Sequence, residues 1–215
     1  MNAIKCSRAF IALIFVSVML LLSGCATTGM DRSVNTSNSI HEVDLEIKKM
    51  TTHIDSTSGS LESLFHAGQP DLKKHFEAYT ANLNDLNTQG ERVIKRVDEM
   101  KASSMAYFAE WEKQGDVYTN PQIRQLSAER RAKLAAIYAR VPEAGAGIKG
   151  AYLNSKTNLN EIQLYLSTDL TVGGVQAIRP VAQQAIQDLD ALRNSIQPIV
   201  VALEEINLEL YGSGK

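Results

Sequence analysis

Cys25 has the most distinctive chemical setting in this chain of 215 residues. It follows Leu22-Ser23-Gly24, at the end of an uncharged apolar run from Ala9 to Leu22 that Lys5 and Arg8 precede. Small residues ahead of a thiol let a peptidase approach the backbone, and the thiol can then take a diacylglycerol as a thioether. A basic start, an apolar middle and a small-residue cleavage site form the layout of a removable secretory signal. The apolar run is about fourteen residues, roughly 20 Å at ~1.5 Å per residue, short of the ~30 Å hydrocarbon core. It is a poor permanent span.

The other chemistry-bearing residues are less organised. Gly145-Ala146-Gly147-Ile148-Lys149-Gly150 spells GxGxxG, but the dinucleotide fingerprint needs a strand before the glycines and a helix opening after them. Here the run follows a helical pattern just past Pro142, which points to a hinge or a close helix contact. His41, His53, His66 and His75 are not spaced at i,i+3 or i,i+4 and fall off the apolar face, although His66 and His75 flank one turn. Acidic neighbours such as Glu110 and Glu112, or Glu204 and Glu205, point different ways on a helix, and acid/base work needs two carboxylates converging on a cleft. No Walker A lysine loop and no Ser/His/Asp signature occurs. The expectation is a protein that is not an enzyme, with no cofactor and no metal. The densest group left is aromatic: Tyr107, Phe108, Trp111 and Tyr118 around one turn, either capping the end of the fold or docking a partner.

Composition narrows the class. Without residues 1–24 the chain loses Lys5 and Arg8 and no acid, keeping 20 of its 22 basic residues against 24 acidic ones, a net charge of −4. That balance argues against a nucleic-acid partner, which requires a basic field. Of the two cysteines, Cys6 leaves with the signal and Cys25 is taken by lipid, so no disulfide is available. About 190 residues suffice for one core.

The elements that must position these groups read as helices. In the first, Ile40, Val43, Ile47, Met50, Ile54, Thr57, Leu61 and Leu64 follow a 3-4 alternation, a coiled-coil seam. A second runs over Leu72, Phe76, Tyr79, Leu83, Leu86, Gly90, Val93, Val97, Met100, Ser104, Tyr107 and Trp111. Between them Gly68 is expected to end one helix in the left-handed conformation and Pro70 to open the next. Asn120 is the predicted N-cap of a third segment, with Pro121 at its first position. That segment uses Ile123, Leu126, Arg130, Leu134, Ile137, Val141, Ala144 and Ile148, slips register near Ser155 and resumes at Leu159, Ile162, Leu166 and Leu170. Pro142 and the small residues after it are expected to kink it or divide it in two. The fourth uses Ile178, Ala182, Ala185, Leu189, Leu192, Ile196, Ile199, Leu203, Ile206 and Leu210, with a late start set by Pro180 and a bend at Pro198. No sustained period-two alternation suggests a sheet. The expected fold is all-α, an elongated antiparallel bundle or coiled coil of about four long helices. Its parts are a signal over 1–24, a flexible Ser/Thr/Asn-rich tether over 25–38 and a helical domain over 39–215.

Two resemblances add to this. Leu22-Ser23-Gly24-Cys25 matches the lipobox and looks like that of a bacterial lipoprotein. It implies lipid and palmitate on Cys25, durable anchoring without a transmembrane helix, and a place in the cell envelope; Ala26 implies the outer membrane, facing the periplasm, in a Gram-negative host. The stretches Gln69 to Lys74, Tyr107 to Asp116, Tyr118 to Arg124 and Tyr138 to Glu143 resemble the bacterial family of domain of unknown function 2959. That resemblance implies no activity, cofactor or site. The expected role is a scaffold or interaction lipoprotein that meets another envelope protein. The alternative is a periplasmic carrier or chaperone holding an apolar molecule, loosely packed at Gly90, Ser104 and Gly145 to Gly150. A second copy could complete the same seams as a homo-oligomer.

Overall fold

The computed structural model describes the backbone of residues 29–212 and the side chains of residue 35 and residues 38–212. Its helices are α1 (Gly29–Leu64), α2 (Leu72–Gly115), α3 (Pro121–Thr168) and α4 (Val172–Tyr211), with a 3-10 turn at Gln69–Asp71 before α2. No strand occurs among the described residues. The signal over 1–24 and Cys25 lie outside them. Contacts divide the chain into residues 1–35 and residues 36–215, and the bundle is the second unit. Its helices of 44, 48 and 40 residues are about 60 to 72 Å long at ~1.5 Å per residue.

The first seam is buried as its spacing predicts, from Ile40 to Leu64 with Thr57 fully enclosed among apolar neighbours. Thr57 meets its polar requirement across the interface, its Oγ1 donating to the Asn82 carbonyl at 3.1 Å. The second and fourth seams are buried along most of their length, and α2 and α4 each run through without interruption.

Several expectations are corrected. Residues 29–38, read as part of a flexible tether, are helical, because α1 opens at Gly29. Gly68 is extended, with φ −77° and ψ 162°, since the 3-10 turn with Pro70 reverses the chain without a left-handed residue. α3 is one continuous helix through Pro142; Tyr138, Val141 and Gly145 are buried on either side of the proline, and their packing outweighs one missing backbone hydrogen bond. α4 starts at Val172, eight residues before Pro180, because Thr171 caps it, its Oγ1 accepting from Gly174 N at 3.0 Å, and Val175 is buried in the first turn. At Pro180 and Pro198 the carbonyls four residues earlier belong to Gln176 and Asn194, both exposed, where water can serve them.

The α3 seam also differs. Its buried positions are Leu134, Tyr138, Val141, Gly145, Ile148, Tyr152, Ser155, Leu159, Ile162 and Leu166, an unbroken 4-3 alternation. No slip occurs at Ser155, which is itself a seam residue donating to the Ala151 and Asp188 carbonyls at 3.0 and 3.2 Å. Tyr138 and Gly145 hold the places expected for Ile137 and Ala144.

Gly90 and Gly145, expected as points of loose packing, are points of close approach. A Cβ on Gly90 would lie 2.3 Å from the Tyr152 ring, and one on Gly145 would lie 2.5 Å from a Val97 methyl. The Tyr152 hydroxyl donates to the Asn87 carbonyl at 2.9 Å and so pins the ring over Gly90. Gly147 has nothing within 4 Å of such a Cβ.

Polar ties join the helices. Gln89, 2 % exposed, donates from Nε2 to the Glu46 carbonyl at 2.9 Å and to its Oε2 at 2.6 Å. Bonds from Lys49 first, then from Gln89, hold the Glu46 carboxyl below the ordinary 4.5 against the opposing effect of burial. At one end of the bundle Gln69 links the two turns, accepting from Val172 N at 3.0 Å and donating to the Leu170 carbonyl at 3.5 Å. Arg179 lies over the Phe65 ring at 4.9 Å and donates to the Phe65 carbonyl at 3.2 Å.

Two predictions follow from this packing. Gly147→Ala should stabilise the chain by up to ~1 kcal/mol through helix propensity, whereas Gly90→Ala should destabilise it, since overpacking costs ~1 to 3 kcal/mol; thermal melts should shift in opposite directions. A carboxyl depressed in the folded state stabilises the fold above its unfolded pKa, and that contribution is lost as pH falls through the folded value. The stability advantage of the unaltered chain over Glu46→Gln, read by urea unfolding, should be full at about pH 7 and should shrink below about pH 4.

Candidate functional site

The end of the bundle formed by the α2–α3 turn gathers the aromatic residues. α2 closes at Gly115 with a last turn in which Asp116 N donates to the Glu112 carbonyl at 3.2 Å and Tyr118 N to the Gly115 carbonyl at 3.3 Å. α3 opens as predicted: the Asn120 side chain accepts from Gln122 N at 2.9 Å and Ile123 N at 3.4 Å, with Pro121 behind it. Arg124 fastens the turn, donating from Nη2 at 2.6 Å and Nε at 3.2 Å to the Tyr118 carbonyl.

Three of the four singled-out rings form one cluster. Tyr107 lies 5.0 Å from Phe108 and 5.6 Å edge-on from Trp111. Phe108 continues the cluster to α3, meeting Tyr138 edge-on at 5.4 Å. Such pairs add ~0.5 to 1.5 kcal/mol each beyond simple burial. The Trp111 indole donates to Ser127 Oγ at 2.9 Å, which satisfies its only polar atom. Tyr118 stands apart from the cluster, 40 % exposed, and the Arg124 bonds go to its carbonyl.

Ile123 and Leu126, expected on the seam, are 48 % and 65 % exposed. Counting the true α3 register back from Leu134 reaches Arg131, Ser127 and Arg124 instead. Each makes a polar tie: Arg131 to Glu112 at 3.1 Å, Ser127 to Trp111, Arg124 to the turn. The apolar pair is one residue, about 100° of helix, out of step with the seam. Arg130, also expected on the seam, is half-buried and donates to the Glu209 carbonyl at 2.6 Å, while Lys133 pairs with the Glu209 carboxylate at 2.8 Å. α4 ends at Tyr211, so the first turns of α3 run past it.

A furrow of about 560 Å³ follows the outer side of the α2–α3 pair, lined chiefly by Met105, Phe108, Ala109, Ala132, Ala135 and Ala139. Met105 is 64 % exposed there. Sequence reasoning missed this furrow and the part Tyr138 plays in it; the signal was the spacing from Leu134 to Tyr138 to Val141. The histidines are elsewhere: His41 and His66 are exposed, His53 and His75 half-exposed. Among the described residues no three His, Cys, Asp or Glu side chains are grouped to hold a metal ion, and no helix is long and apolar enough to cross a membrane.

The fold defines an all-α protein, a bundle of four long antiparallel helices with an aromatic cluster at one end. The chain belongs to the family described as protein of unknown function (DUF2959), which matches residues 30–207. No curated protein and no solved structure matches it.

The N-cap supports this end of the bundle. Asn120→Ala should lower stability by ~0.5 to 2 kcal/mol and expose Trp111 to a water-soluble quencher before the rest of the chain unfolds; quenching of the indole during a urea titration checks it.

Proposed function

We propose that the protein is a lipid-anchored component of the bacterial cell envelope, a helical scaffold or interaction lipoprotein with no catalysis of its own. The observation that carries this reading is the sequence Leu22-Ser23-Gly24-Cys25 behind a basic and then apolar start. The Cys25 thiol takes a diacylglyceryl group as a thioether, and cleavage before Cys25 frees an amine that can be acylated; at ~0.8 kcal/mol per buried methylene, two or three chains hold a protein where one is marginal. Palmitate is among the acyl groups this predicts. Ala26 favours the outer membrane, with the helical domain in the periplasm, in a Gram-negative host.

The long helices suit presentation to another envelope component, along their sides or at the end bearing Tyr107, Phe108, Trp111 and Tyr118. One observation favours a second reading, a carrier of apolar molecules: the furrow of about 560 Å³ lined by Met105, Phe108 and alanines. Native mass spectrometry of the delipidated protein separates the two, because a carrier retains bound lipid or peptide and a scaffold gives the mass of the chain alone.

Cys25→Ser tests the main reading. The substituted chain should leave the membrane fraction and fail to incorporate labelled palmitate, while its helical circular dichroism stays the same. Equal retention in the membrane with unchanged mass would refute the anchor.

A further inference from the structure

Both ends of the bundle expose apolar side chains, Leu164, Tyr165 and Val172 beside the α3–α4 turn among them, but they differ in charge and in their distance from Cys25. At the end bearing the α1–α2 and α3–α4 turns, Gln69 and Arg179 tie the elements together. At the other end the α2–α3 turn presents Val117, 76 % exposed, together with Tyr118, Ile123 and Leu126, four outward apolar side chains within ten residues. Residues 101–133 hold six basic and four acidic side chains; with Glu209 of α4, which pairs with Arg130 and Lys133, this end carries a net charge of +1 and the rest of the chain from Cys25 onward −5.

The chain ahead of the bundle limits what this end can meet. Glu42 pairs with Arg96 at 3.2 Å, so in antiparallel register Thr36 is level with Ala102 of α2. Val117 lies fifteen residues beyond that level, about 22 Å at ~1.5 Å per residue. Gly29 to Thr36 are helical and rise about 10 Å, and the four residues from Cys25 to Gly29 add at most ~14 Å. A lipid on Cys25 can therefore lie in the plane of the α2–α3 turn. The opposite end begins at Leu72, about 45 Å back along α2, beyond that reach.

We infer that the α2–α3 turn is a second contact with the bilayer that holds the Cys25 lipid. Val117, Tyr118, Ile123 and Leu126 enter the boundary between headgroups and acyl chains, and the basic excess of this end faces anionic headgroups. Tyrosine and tryptophan suit that boundary, where one edge of the ring is apolar and the other wet. Four side chains would bind a bilayer weakly by themselves, but the anchor makes the contact intramolecular and raises its effective concentration. The inference rests on the anchor reading and adds to it which end of the bundle touches the membrane.

Trp111 is the only tryptophan in the chain and lies six residues before Val117, so it reports on this turn without a label. The lipidated protein is reconstituted into vesicles of phosphatidylethanolamine and phosphatidylglycerol whose acyl chains carry bromine near the headgroup. Flotation reads the anchor and Trp111 fluorescence reads the turn. The expected result is a protein that floats with its tryptophan quenched, more strongly as the phosphatidylglycerol fraction rises. Val117→Asp with Leu126→Asp should float equally and lose the quenching, with unchanged helical signal because both sites are exposed. A protein that floats with Trp111 unquenched overturns the turn contact and leaves the anchor standing. One that does not float overturns both. Crosslinking of the turn to a protein in cells, without quenching by brominated lipid, assigns the turn to a protein partner and also overturns the inference.

Discussion

Each helix of this protein has one narrow apolar stripe, and the fold exists because four such stripes can be hidden only against one another. A 3-4 alternation puts its residues along a single line of the helix surface, and no helix here has a second apolar face to offer. With turns as short as Asp116 to Asn120 and Asp169 to Thr171, consecutive helices must return side by side, which brings stripe against stripe. Both cysteines, Cys6 and Cys25, precede the bundle in the sequence, so no disulfide within the bundle assists this packing.

A periodic stripe has a weakness: it packs almost equally well after sliding by one heptad. Gln89 and two glycines remove that degeneracy, more than the hydroxyls that cross the seams do. Tyr79 donates to the Leu159 carbonyl at 2.8 Å, Tyr152 to that of Asn87, Thr57 to that of Asn82 and Ser155 to that of Asp188. Main-chain carbonyls recur with every residue, so a slide of seven would still offer those hydroxyls an acceptor; the buried Gln89 would lose the Glu46 carboxylate it meets at 2.6 Å, and an unsatisfied buried polar group costs ~1 to 3 kcal/mol. Burial raises the Tyr79 and Tyr152 hydroxyl pKa values, so both remain neutral donors. Gly90 and Gly145 act in the same direction through shape, since the Tyr152 ring and the Val97 methyl fit only where a side chain is missing.

These devices also explain what could be read from the residues and what could not. The α1 and α4 seams were legible because their stripe residues are almost all aliphatic, with Thr57 the one polar member. In α3 the true stripe includes Tyr138 and Gly145, each less apolar than its neighbour Ile137 or Ala144, and the polar Ser155. Choosing the more apolar residue moves the track by one and then demands a slip that the helix does not make. The prolines misled for a different reason: a local rule judged one lost hydrogen bond, whereas the continuity of α3 and α4 is set by packing along 48 and 40 residues. Composition alone marked 25–38 as a tether, although Gly29 already begins α1. In the aromatic group, helical spacing placed Tyr107, Phe108 and Trp111 together, but it carries no information about Tyr118, which lies in the turn.

At the α2–α3 end the usual arrangement is inverted. Along most of the bundle the stripe is apolar and the outer faces are charged. Past the end of α4 the α3 register falls on Arg131, Ser127 and Arg124, and the two helices are joined by a salt bridge, an indole hydrogen bond and a guanidinium on a backbone carbonyl. Ile123 and Leu126 are turned outward by the same register. Here polar ties and edge-on rings join α2 and α3 with less burial than along the seams. Ile123 and Leu126 are then exposed because the register gives the seam positions at this end to polar residues.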